Sequence, residues 1–492
     1  RRQRQMCIRD RFKVGLEIHT KLQTLYKLFS KSPNTSSVLS TAPNTTTSFF
    51  DVSLPGTQPL LNKECLLKTL KLASSLNCEI PSVSSFDRKH YFYGDQPLGY
   101  QITQHFHPIA RNGRFTLLQK HNLKLDKDLI VRIQQLQLEQ DTGRSIYHNI
   151  NSNLSNIDFN RANIPLVEMV TMPDFENIEQ VRAFLQNYIK LVQMLDVCSG
   201  DLETGAIRVD VNINVVGHQR VEIKNLPTIS AIINAIKYEA KRQTQLVKTG
   251  QVPNDIETRG WNGKTTYHLR SKETNVDYRY VPDMELPNIK LNIDSLLPKI
   301  KETMPPSIAE QLNHLMDTYK LNTRDARILF NCPPLSLFFQ SIYENVNPLH
   351  RNKVINWIVH EFLGALTKSE VVFSPDIITL ESFTQLIDNV EAGNITKSNG
   401  KLLLLHLINN KEDQSRPILE LAQEFDMLSS NTLDIDTLVS TVLSNNKKVV
   451  DEILQGKPKK INFLIGQCMR ESGGNIQPSL FESKIKDCLK QK

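Results

Sequence analysis

The chain has 492 residues, of which 39% are hydrophobic and 23% are charged, and its formal net charge is +7 at pH 7. From this length and composition we expect a soluble globular protein of two or three domains. The longest strongly apolar stretches, such as 402–405, are far too short for a membrane span. The seven cysteines form no CxxC pair, which favours reduced thiols over a disulfide framework.

The first eleven residues, RRQRQMCIRDR, match the translation of an adapter string used in transposase-based sequencing libraries. We interpret residues 1–11 as a sequencing-adapter artefact and leave them out of arguments on fold and targeting. Their five arginines and one aspartate supply four of the seven net positive charges. The rest of the chain is therefore only mildly basic, and charge alone does not identify a nucleic-acid binder. We expect the natural N-terminus, with any transit peptide, to lie outside this sequence.

The stretch 14–19, VGLEIH, is predicted to be a strand with one apolar and one polar face. Its apolar side chains alternate with Glu17 and His19, which therefore point to the same side, about 7 Å apart at the backbone. A carboxylate and an imidazole at this spacing suit a metal ion or a phosphate. A half-exposed strand with two polar residues facing water would show the same pattern.

The loop 90–104 concentrates aromatic residues beside amide side chains. Tyr91, Phe92, Tyr93 and Tyr100 could stack on an unpaired nucleotide base, or they could belong to the edge of the core. We favour the core interpretation.

The stretch 131–141 predicts a second strand with an irregularity in it. Its apolar alternation slips by one residue at Gln135, which indicates a β-bulge, a feature often found near active sites. Beyond the slip, Gln137, Glu139 and Asp141 share one face. A nearby apolar run, 165–170, contains Glu168, which is either a buried acid with a partner or a metal ligand, because an unpaired buried charge is costly.

The stretch 206–215 predicts a third strand, with a continuous apolar stripe on one face. Its other face carries Arg208, Asp210, Asn212 and Asn214. Three strands of this kind are what an antiparallel sheet with a packed face and a working face would need. Sheets with one polar face are also common without catalysis, so this pattern alone leaves both interpretations open.

Helical patterns occur at 178–195 and 230–247, and they dominate the chain beyond about residue 297. Breakers separate the later helices at Pro305-Pro306, Pro333-Pro334, 393–400 and Gly473-Gly474. This organisation predicts an α+β domain followed by an all-helical region. The chain lacks a GxxxxGK[ST] loop, HExxH, GxSxG and zinc-like Cys/His spacing. Any ATP would therefore have to be held by metal-bound carboxylates and basic side chains.

Eight segments carry a resemblance, in this order: VGLEIHTKLQT, KLFSKSP, FDRKHYFYGDQPLGYQITQ, LEQDTGRS, DFNRANIPLVEMV, GDLETGAIRVDVNI, VEIKNL and DYRYVPD. With these segments the chain resembles, from about Lys13 to its C-terminus, the B subunits of the glutamyl-tRNA(Gln) amidotransferases. The C-terminal KKINFLIGQCMRESGGNIQPSL resembles the tail module of the family. The segment GDQPLGYQITQ is most similar to mitochondrial versions in yeasts, which implies the mitochondrial matrix.

The resemblance implies an α+β fold, with an antiparallel-sheet catalytic (cradle) domain of glutamine-synthetase-like type followed by an all-helical C-terminal region with a tail module. We expect the catalytic domain at 12–295, a helical domain at 296–375 and a tRNA-binding helical tail domain at 376–492. The implied reaction is a two-step ligation on a tRNA. ATP phosphorylates the side-chain carboxylate of Glu-tRNA(Gln), and ammonia then converts the acyl phosphate to the amide of Gln-tRNA(Gln).

By resemblance, Glu17, His19, Glu139 and Asp210 match positions that line the metal and kinase site of the family, with ATP and Mg²⁺ as cofactors. The strand patterns place all four on polar faces. Glu168 is a fifth candidate metal ligand. Because Mg²⁺ prefers oxygen ligands, His19 could instead contact a phosphate, act through a water or be a hydrogen-bonded structural histidine.

Three basic residues are candidates for the anion-binding part of this site. Arg208 could stabilise charge on the transferring phosphoryl group, or it could form a plain salt bridge. Lys224 and Arg279 are further candidates, and solvated or ion-paired roles are equally open for both. One departure from the family is Gln140, where many bacterial relatives carry a second acid. Strand alternation places it on the face opposite Glu139, so a supporting role for this position is at least as plausible as direct metal ligation.

The chain has no convincing Cys-His triad and no Ser-rich amidase signature, so ammonia must come from a partner. The resemblance implies an amidase-like A subunit that hydrolyses glutamine, and a small third subunit, C-type or its fungal counterpart. An alternative to the active ligase is a non-catalytic tRNA-docking scaffold of the same complex whose kinase site has decayed.

The helical end is expected to meet the body of the tRNA. Lys457, Lys459 and Lys460 precede an apolar helix that ends near Arg470. Such a basic cluster can bind phosphates without reading sequence. Helix capping and solubility would use the same residues, but the resemblance favours tRNA binding.

Overall fold

The computed structural model describes residues 12–35, 41–147, 155–202, 204–272, 278–429, 435–454 and 460–490. Residues 1–11 and the predicted tRNA-binding residues Lys457 and Lys459 lie outside this part of the chain. The chain divides into two compact units, one up to Asn313 and one from His314 onward. The first unit carries every described strand, and the second is helical. The α+β organisation is confirmed, whereas the finer domain boundaries stay predictions.

The strands of the first unit form one large sheet and three small ones within the described residues. They are β1 (Phe12–Lys21), β2 (Val83–Ser84), β3 (Asp87–His90), β4 (Tyr100–Thr103), β5 (Ala110–Leu117), β6 (Leu129–Gln140), β7 (Arg144–Tyr147), β8 (Ser155–Asp158), β9 (Pro165–Thr171), β10 (Ile207–Val215), β11 (Val221–Leu226), β12 (Ile256–Trp261), β13 (Thr266–Lys272), β14 (Val281–Pro282) and β15 (Ile289–Lys290). The large sheet has the order β13-β12-β11-β10-β1-β9-β6-β5, and a three-stranded sheet has the order β14-β3-β4. All pairs in the large sheet are antiparallel except β11 with β12.

Helices complete the first unit and dominate the second. They are α1 (Lys63–Ser75), α2 (Ile178–Met194), α3 (Ile229–Thr249), α4 (Ile293–Glu302), α5 (Ile308–Thr318), α6 (Thr323–Asn331), α7 (Pro333–Asn345), α8 (Arg351–Asn356), α9 (Leu363–Lys368), α10 (Leu380–Glu391), α11 (Lys397–Asn409), α12 (Ile418–Glu424), α13 (Ile435–Asn445), α14 (Lys447–Leu454), α15 (Ile461–Glu471) and α16 (Pro478–Lys490). A π-helical turn, Trp357–Phe362, joins α8 to α9. Among the described residues, no helix has both the length and the apolar character that a membrane span requires.

The apolar face of the large sheet is the core of the first unit. Val14, Leu16 and Ile18 of β1 are fully buried, and α3 packs on β10 and β11 beside α2. These helices do not cover the polar face of the large sheet. Strand β4 of the three-stranded sheet contacts β6 of the large sheet. The sequence predicted α2 and α3 to within two residues at each end. The side chain of Asn177 caps the start of α2, and α3 ends at Gly250 in the left-handed conformation.

Two irregularities in strand pairing shape the polar face. The predicted bulge is confirmed, because the pairing of β6 with β9 shifts register between Ile133 and Gln135. A second shift, which the sequence pattern did not reveal, occurs where β10 pairs with β11, between Val209 and Val211. Bulges re-aim the side chains beside them, and the second one lies at Asp210.

The breakers of the helical unit behave differently from one another. Gly393 and the pair Gly473-Gly474 lie in turns with positive φ, as predicted. Pro333 instead begins α7, where its missing N–H costs nothing. The break predicted at Gly400 is wrong, since this residue lies inside α11. A Cβ there would come within 2.5 Å of the side chain of Val390, so close helix packing requires the glycine.

The last four helices enclose a core of their own. Leu464, Cys468, Phe481 and Ile485 are fully buried there, and α15 packs against both α13 and α16. The apolar helix predicted after the basic cluster is confirmed as α15.

Candidate metal and phosphate site

Strand β1 lies at the centre of the polar face, between β10 and β9. On one side Glu17 is paired with Asp210 of β10. On the other side His19 is paired with Glu168 of β9. Because cross-strand partners are within about 5.5 Å at their Cβ atoms, the register brings polar residues from distant parts of the chain together. Strand β6, the next neighbour of β9, adds Glu139.

One group of ligating side chains, here the His19 cluster, consists of His19, Glu139 and Glu168. One ligand atom of each residue lies within 4.8 Å of the other two. The Nε2 atom of His19 is 3.2 Å from a carboxylate oxygen of Glu139 and 3.9 Å from one of Glu168. Thr103 of β4 donates a hydrogen bond to Glu139 at 3.2 Å, and Gln137 donates one to Glu168. Each of the two carboxylates therefore has His19 as one neighbour and a hydrogen-bond donor as another, Thr103 for Glu139 and Gln137 for Glu168.

The protonation of the His19 cluster is strongly perturbed. Burial alone would lower the pKa of His19, but its hydrogen bond to Glu139 and the nearby carboxylates outweigh burial and raise this pKa to about 9. Burial, followed by the charge of Glu139, raises the pKa of Glu168 to about 7. For Glu139, burial would raise the pKa, but His19, together with the charge of Lys89 and the hydrogen bond from Thr103, lowers it. Without a bound cation, the cluster thus retains protons near neutral pH.

A second group, here the Glu17 cluster, consists of Glu17, Asp210 and Glu222, again with one ligand atom of each within 4.8 Å of the others. Asn212 donates a hydrogen bond to Glu17 at 2.8 Å, and Thr258 donates one to Glu222 at 3.1 Å. Three carboxylates this close together repel one another unless a cation lies between them.

In the structure the ammonium group of Lys224 contacts two of these carboxylates. Its Nζ atom is 2.8 Å from Asp210 and 2.5 Å from Glu222. Burial would lower the pKa of Lys224, but these two carboxylates raise it well above its ordinary value. The backbone N–H of Asn225, a residue in the left-handed conformation, donates to the second oxygen of Asp210 at 2.7 Å. Asp210 is therefore oriented through both of its oxygens.

Arg208 forms the salt bridge that the sequence left open as one of its two roles. It lies 3.0 Å from Asp141, which is also 3.5 Å from Arg161. Burial would raise the pKa of Asp141, but these two guanidinium groups lower it below its ordinary range. Within the described residues the Nε atom of Arg208 is buried without a hydrogen-bond partner, so one donor stays available for a ligand.

The three-stranded sheet contributes a second wall, with Lys89 on it. The ammonium group of Lys89 lies 4.8 Å above the ring of Tyr278. Burial would lower its pKa, but the charges of Glu139, Tyr280 and Glu168 raise it. Lys89 is thus a cation beside the His19 cluster.

Some predicted residues lie elsewhere. Arg279 is exposed, with a positive φ, and its carbonyl oxygen accepts a hydrogen bond from His90. As an anion-binding residue it stays a prediction. The core interpretation of the aromatic loop is wrong for Phe92 and Tyr93, whose side chains are 83% and 66% exposed. The side chain of Gln140 is buried, and its Oε1 atom has no hydrogen-bond partner in the described part of the chain.

The sequence reasoning missed Glu222, Lys89 and Thr103. In VEIKNL, strand alternation puts Glu222 on the same face as Lys224, which was a usable signal. No comparable signal marked Lys89 or Thr103. Thr103 reaches the site through the packing of β4 on β6, and Lys89 lies on β3, which pairs with β4.

Two of the four predicted tRNA-binding residues, Lys460 and Arg470, lie in the part of the chain that the structure describes. Lys460 precedes α15 and forms an ion pair with Glu452, while Arg470 is exposed near the end of that helix. Their role in tRNA binding stays a prediction.

Comparison with known proteins gives a consistent result. Residues 12–296 match the family model described as GatB/GatE catalytic domain, and residues 337–489 match the one described as GatB domain. A protein of Komagataella phaffii, named as the mitochondrial B subunit of glutamyl-tRNA(Gln) amidotransferase, is 45% identical, with 96% of this chain and 97% of the relative covered. The proteins of that name from Scheffersomyces stipitis and Candida albicans are 46% and 44% identical, with coverage of 97% and 98% of this chain and 95% and 96% of theirs.

Proposed function

Since this chain belongs to the family of glutamyl-tRNA(Gln) amidotransferase B subunits, we propose that it converts Glu-tRNA(Gln) to Gln-tRNA(Gln) within a multi-subunit mitochondrial amidotransferase. The chain is then an ATP-dependent carbon-nitrogen ligase that acts in protein biosynthesis. The observation that carries this proposal is the convergence of two carboxylate clusters on one sheet face, with Lys224 and Lys89 beside them.

The reaction needs an activated carboxylate. Oxide is too poor a leaving group for ammonia to displace from glutamate directly. The carboxylate therefore attacks the γ-phosphorus of ATP, which gives an acyl phosphate and ADP. Ammonia then attacks the acyl carbon, phosphate leaves with the bonding electrons, and loss of a proton from nitrogen gives the amide. The protein must position the carboxylate and neutralise the phosphoryl charge.

The donor sets of the two clusters fit divalent cations. The Glu17 cluster offers only carboxylate oxygens, which Mg²⁺ prefers, and the His19 cluster adds an imidazole. Bound Mg²⁺ would neutralise charge on the triphosphate and on the phosphoryl group in transfer. We assign Glu17, Asp210 and Glu222 to one cation, and Glu139, Glu168 and the neutral form of His19 to another.

The basic residues have separate roles in this proposal. Lys224 balances the carboxylates of the Glu17 cluster and is close enough to that cluster to bind a phosphate oxygen of ATP. Lys89 brings a positive charge to the His19 cluster from the opposite wall. Arg208 keeps its salt bridge to Asp141 and offers its unpartnered Nε–H to a phosphoryl oxygen.

The finer features of the fold and the complex belong to the same proposal. We infer a cradle domain of glutamine-synthetase-like type at 12–295, a helical domain at 296–375 and a tail domain at 376–492. The sequence shows no glutaminase motif, which supports an amidase-like A subunit as the ammonia source, together with a small third subunit. The relatives named mitochondrial support placement of this chain in the matrix.

Reconstitution tests this function. The chain, combined with an amidase-like A subunit and the small third subunit of its own organism, is expected to form Gln-tRNA(Gln) only when ATP, a divalent cation and glutamine are all present. Binding of Glu-tRNA(Gln) without any ATP turnover would contradict the proposal and support the scaffold alternative.

The pKa shifts predict how cation affinity depends on pH. A divalent cation must displace the proton of His19, whose pKa is about 9, and that of Glu168, whose pKa is about 7. The affinity should therefore rise with pH, by roughly tenfold per unit between pH 7 and 8.5, where mainly one proton is displaced. Electron paramagnetic resonance titration with Mn²⁺ at pH 6.5, 7.5 and 8.5 measures this trend. His19→Asn should flatten it above pH 7, and a falling affinity in the wild type would contradict the assignment.

The basic tail predicts salt-dependent tRNA binding. A triple variant in which Lys457, Lys459 and Lys460 are each replaced by glutamine is expected to bind tRNA with a weaker salt dependence. The magnitude of the slope of log K against log salt should fall by about two, because fewer phosphate contacts form and fewer counterions are released on binding. Filter binding of Glu-tRNA(Gln) at several salt concentrations gives the slope. The matched control is Lys484→Gln with Lys486→Gln. These two lysines of α16 form ion pairs with Asp436 and Glu482. An unchanged slope in the triple variant would remove these residues from the interface.

A further inference from the structure

An apolar groove lies between α1 and α4 in the first unit, and none of its lining residues belongs to the two carboxylate clusters. Its volume is about 320 Å³. Its apolar lining residues, here called its floor, are Leu67 of α1 with Leu296 and Ile300 of α4.

The lining follows helical spacing on both sides. On α1 it includes Leu67, Lys68 and Lys71, and on α4 it includes Leu296, Lys299 and Ile300. Positions three and four apart lie on one face of a helix. Two helices that each turn such a face to a shared groove leave a space that can take apolar side chains from one face of a third helix, as in groove recognition of amphipathic helices.

Exposed apolar residues also occur on α1 and in the segments next to it. Leu67 is 45% exposed, and Leu60, just before α1, is 58% exposed. Leu25 is 67% exposed and is held beside α1 because its N–H donates to Glu64 at 3.0 Å. Clustered exposed apolar residues of this size mark interaction surfaces more often than single ones do.

The rim of the groove is positively charged. Lys68 is anchored to Asp196 at 3.0 Å. In the part of the chain that the structure describes, no ion pair involves the ammonium groups of Lys71 or Lys299. Among the described residues that line the groove, Glu64 is the only acid. A complementary occupant therefore carries acidic residues next to an apolar stripe.

We propose that this groove binds an acidic amphipathic helix of another protein subunit of the amidotransferase, and this proposal rests on the proposed function. An aliphatic floor without an aromatic ring gives a nucleic-acid base nothing to stack on, which disfavours tRNA. A second copy of the chain is disfavoured as well, because a two-fold contact would place the basic rim against itself.

Site-specific cross-linking in the reconstituted complex identifies the occupant. With p-benzoylphenylalanine at Leu67, irradiation is expected to link this chain to a helix of a partner subunit that contains several Asp or Glu residues. A cross-link to tRNA, a cross-link to a second copy of this chain, or no cross-link would each overturn the proposal. The readout does not depend on ligase activity, so it is independent of whether Gln-tRNA(Gln) is formed.

Variants test the energetics. Leu67→Asp is expected to raise the Kd for the partner subunits roughly tenfold, because it places a charge on the apolar floor. Lys71→Glu with Lys299→Glu should slow association and remove most of its salt dependence. The matched control, Lys63→Glu with Lys301→Glu, changes exposed lysines of the same helices outside the groove. Biolayer interferometry measures both rates, and groove variants that behave like the control would overturn the proposal.

A saturation experiment separates this inference from the proposed function. At partner concentrations well above the raised Kd, Leu67→Asp should recover wild-type formation of Gln-tRNA(Gln). Failure of the wild type itself would contradict the proposed function and leave the cross-link result standing. If Leu67→Asp instead binds the partner subunits as tightly as the wild type and is fully active at every partner concentration, the groove is not the binding site.

Discussion

Glu139→Gln is expected to reduce ATP-dependent formation of Gln-tRNA(Gln) by roughly a thousandfold or more, since it removes charge stabilisation at the phosphoryl-transfer site. The amide has nearly the same shape as the carboxylate, but it lacks the charge that pairs with His19 and with a cation. Glutamine hydrolysis is assigned to the partner subunit, so its rate should stay within about twofold of wild type. The measurement is the rate of Gln-tRNA(Gln) formation beside the rate of glutamate release.

Two further variants make this result interpretable. Asp210→Asn should give the same pattern, because it removes a carboxylate from the Glu17 cluster. Glu79→Gln replaces an exposed acid of the same unit and should leave both activities unchanged. If Glu139→Gln and Asp210→Asn both retain normal ligase activity, the phosphoryl-transfer site has been assigned to the wrong residues.

Lys27→Met is expected to destabilise the chain by about 3–5 kcal/mol, the usual cost of leaving one partner of a buried ion pair alone. The ammonium group of Lys27 is fully buried and lies 3.1 Å from Asp51, which is also fully buried. Asp51 further accepts hydrogen bonds from Asn163 and from the backbone N–H of Ser48. Removing the lysine leaves a buried carboxylate without its counter-ion. Thermal unfolding followed by circular dichroism measures the loss.

A double variant separates the effect of the unpaired charge of Asp51 from the loss of packing around Lys27. Lys27→Met with Asp51→Asn removes both charges and should recover a large part of the stability, although one acceptor of Asp51 is lost. Lys31→Met, which changes an exposed lysine of the same loop, should have little effect. A melting temperature for Lys27→Met equal to that of Lys31→Met would show that the buried pair contributes nothing.

Much of the polar face could be predicted because strand alternation is a local property. Period-two spacing was enough to place Glu17, His19, Glu139 and Asp210 on the polar faces of their strands. Which of them meet depends on strand order, and that is not local. Glu168 lies beside the imidazole of His19 only because β9 pairs with β1 in this register.

Other features depend on tertiary packing and escaped the sequence reasoning for that reason. Glu222 reaches Asp210 through the pairing of β11 with a bulged β10. Phe92 and Tyr93 lie in a loop, where no periodicity indicates which side chains are buried. The glycine at 400 looks like a breaker, yet it sits inside a helix because the side chain of Val390 packs close to its Cα.

The helices show the complementary case. α2 and α3 have clear 3.6-residue periodicity together with local signals at their ends, such as Asn177 and Gly250. These signals act within one turn of the helix, so the sequence alone was sufficient to place both helices. The same reasoning indicated an apolar helix after the basic cluster, and α15 confirms it.

The central claim is that one sheet face holds two cations for phosphoryl transfer. Anomalous diffraction at the manganese edge, from crystals of the complex with Mn²⁺ and a non-hydrolysable ATP analogue, tests it most directly. We predict one peak among His19, Glu139 and Glu168 and a second among Glu17, Asp210 and Glu222, with Lys224 in contact with a phosphate oxygen. Nucleotide bound without a peak at either cluster, or with its manganese elsewhere, would contradict the claim.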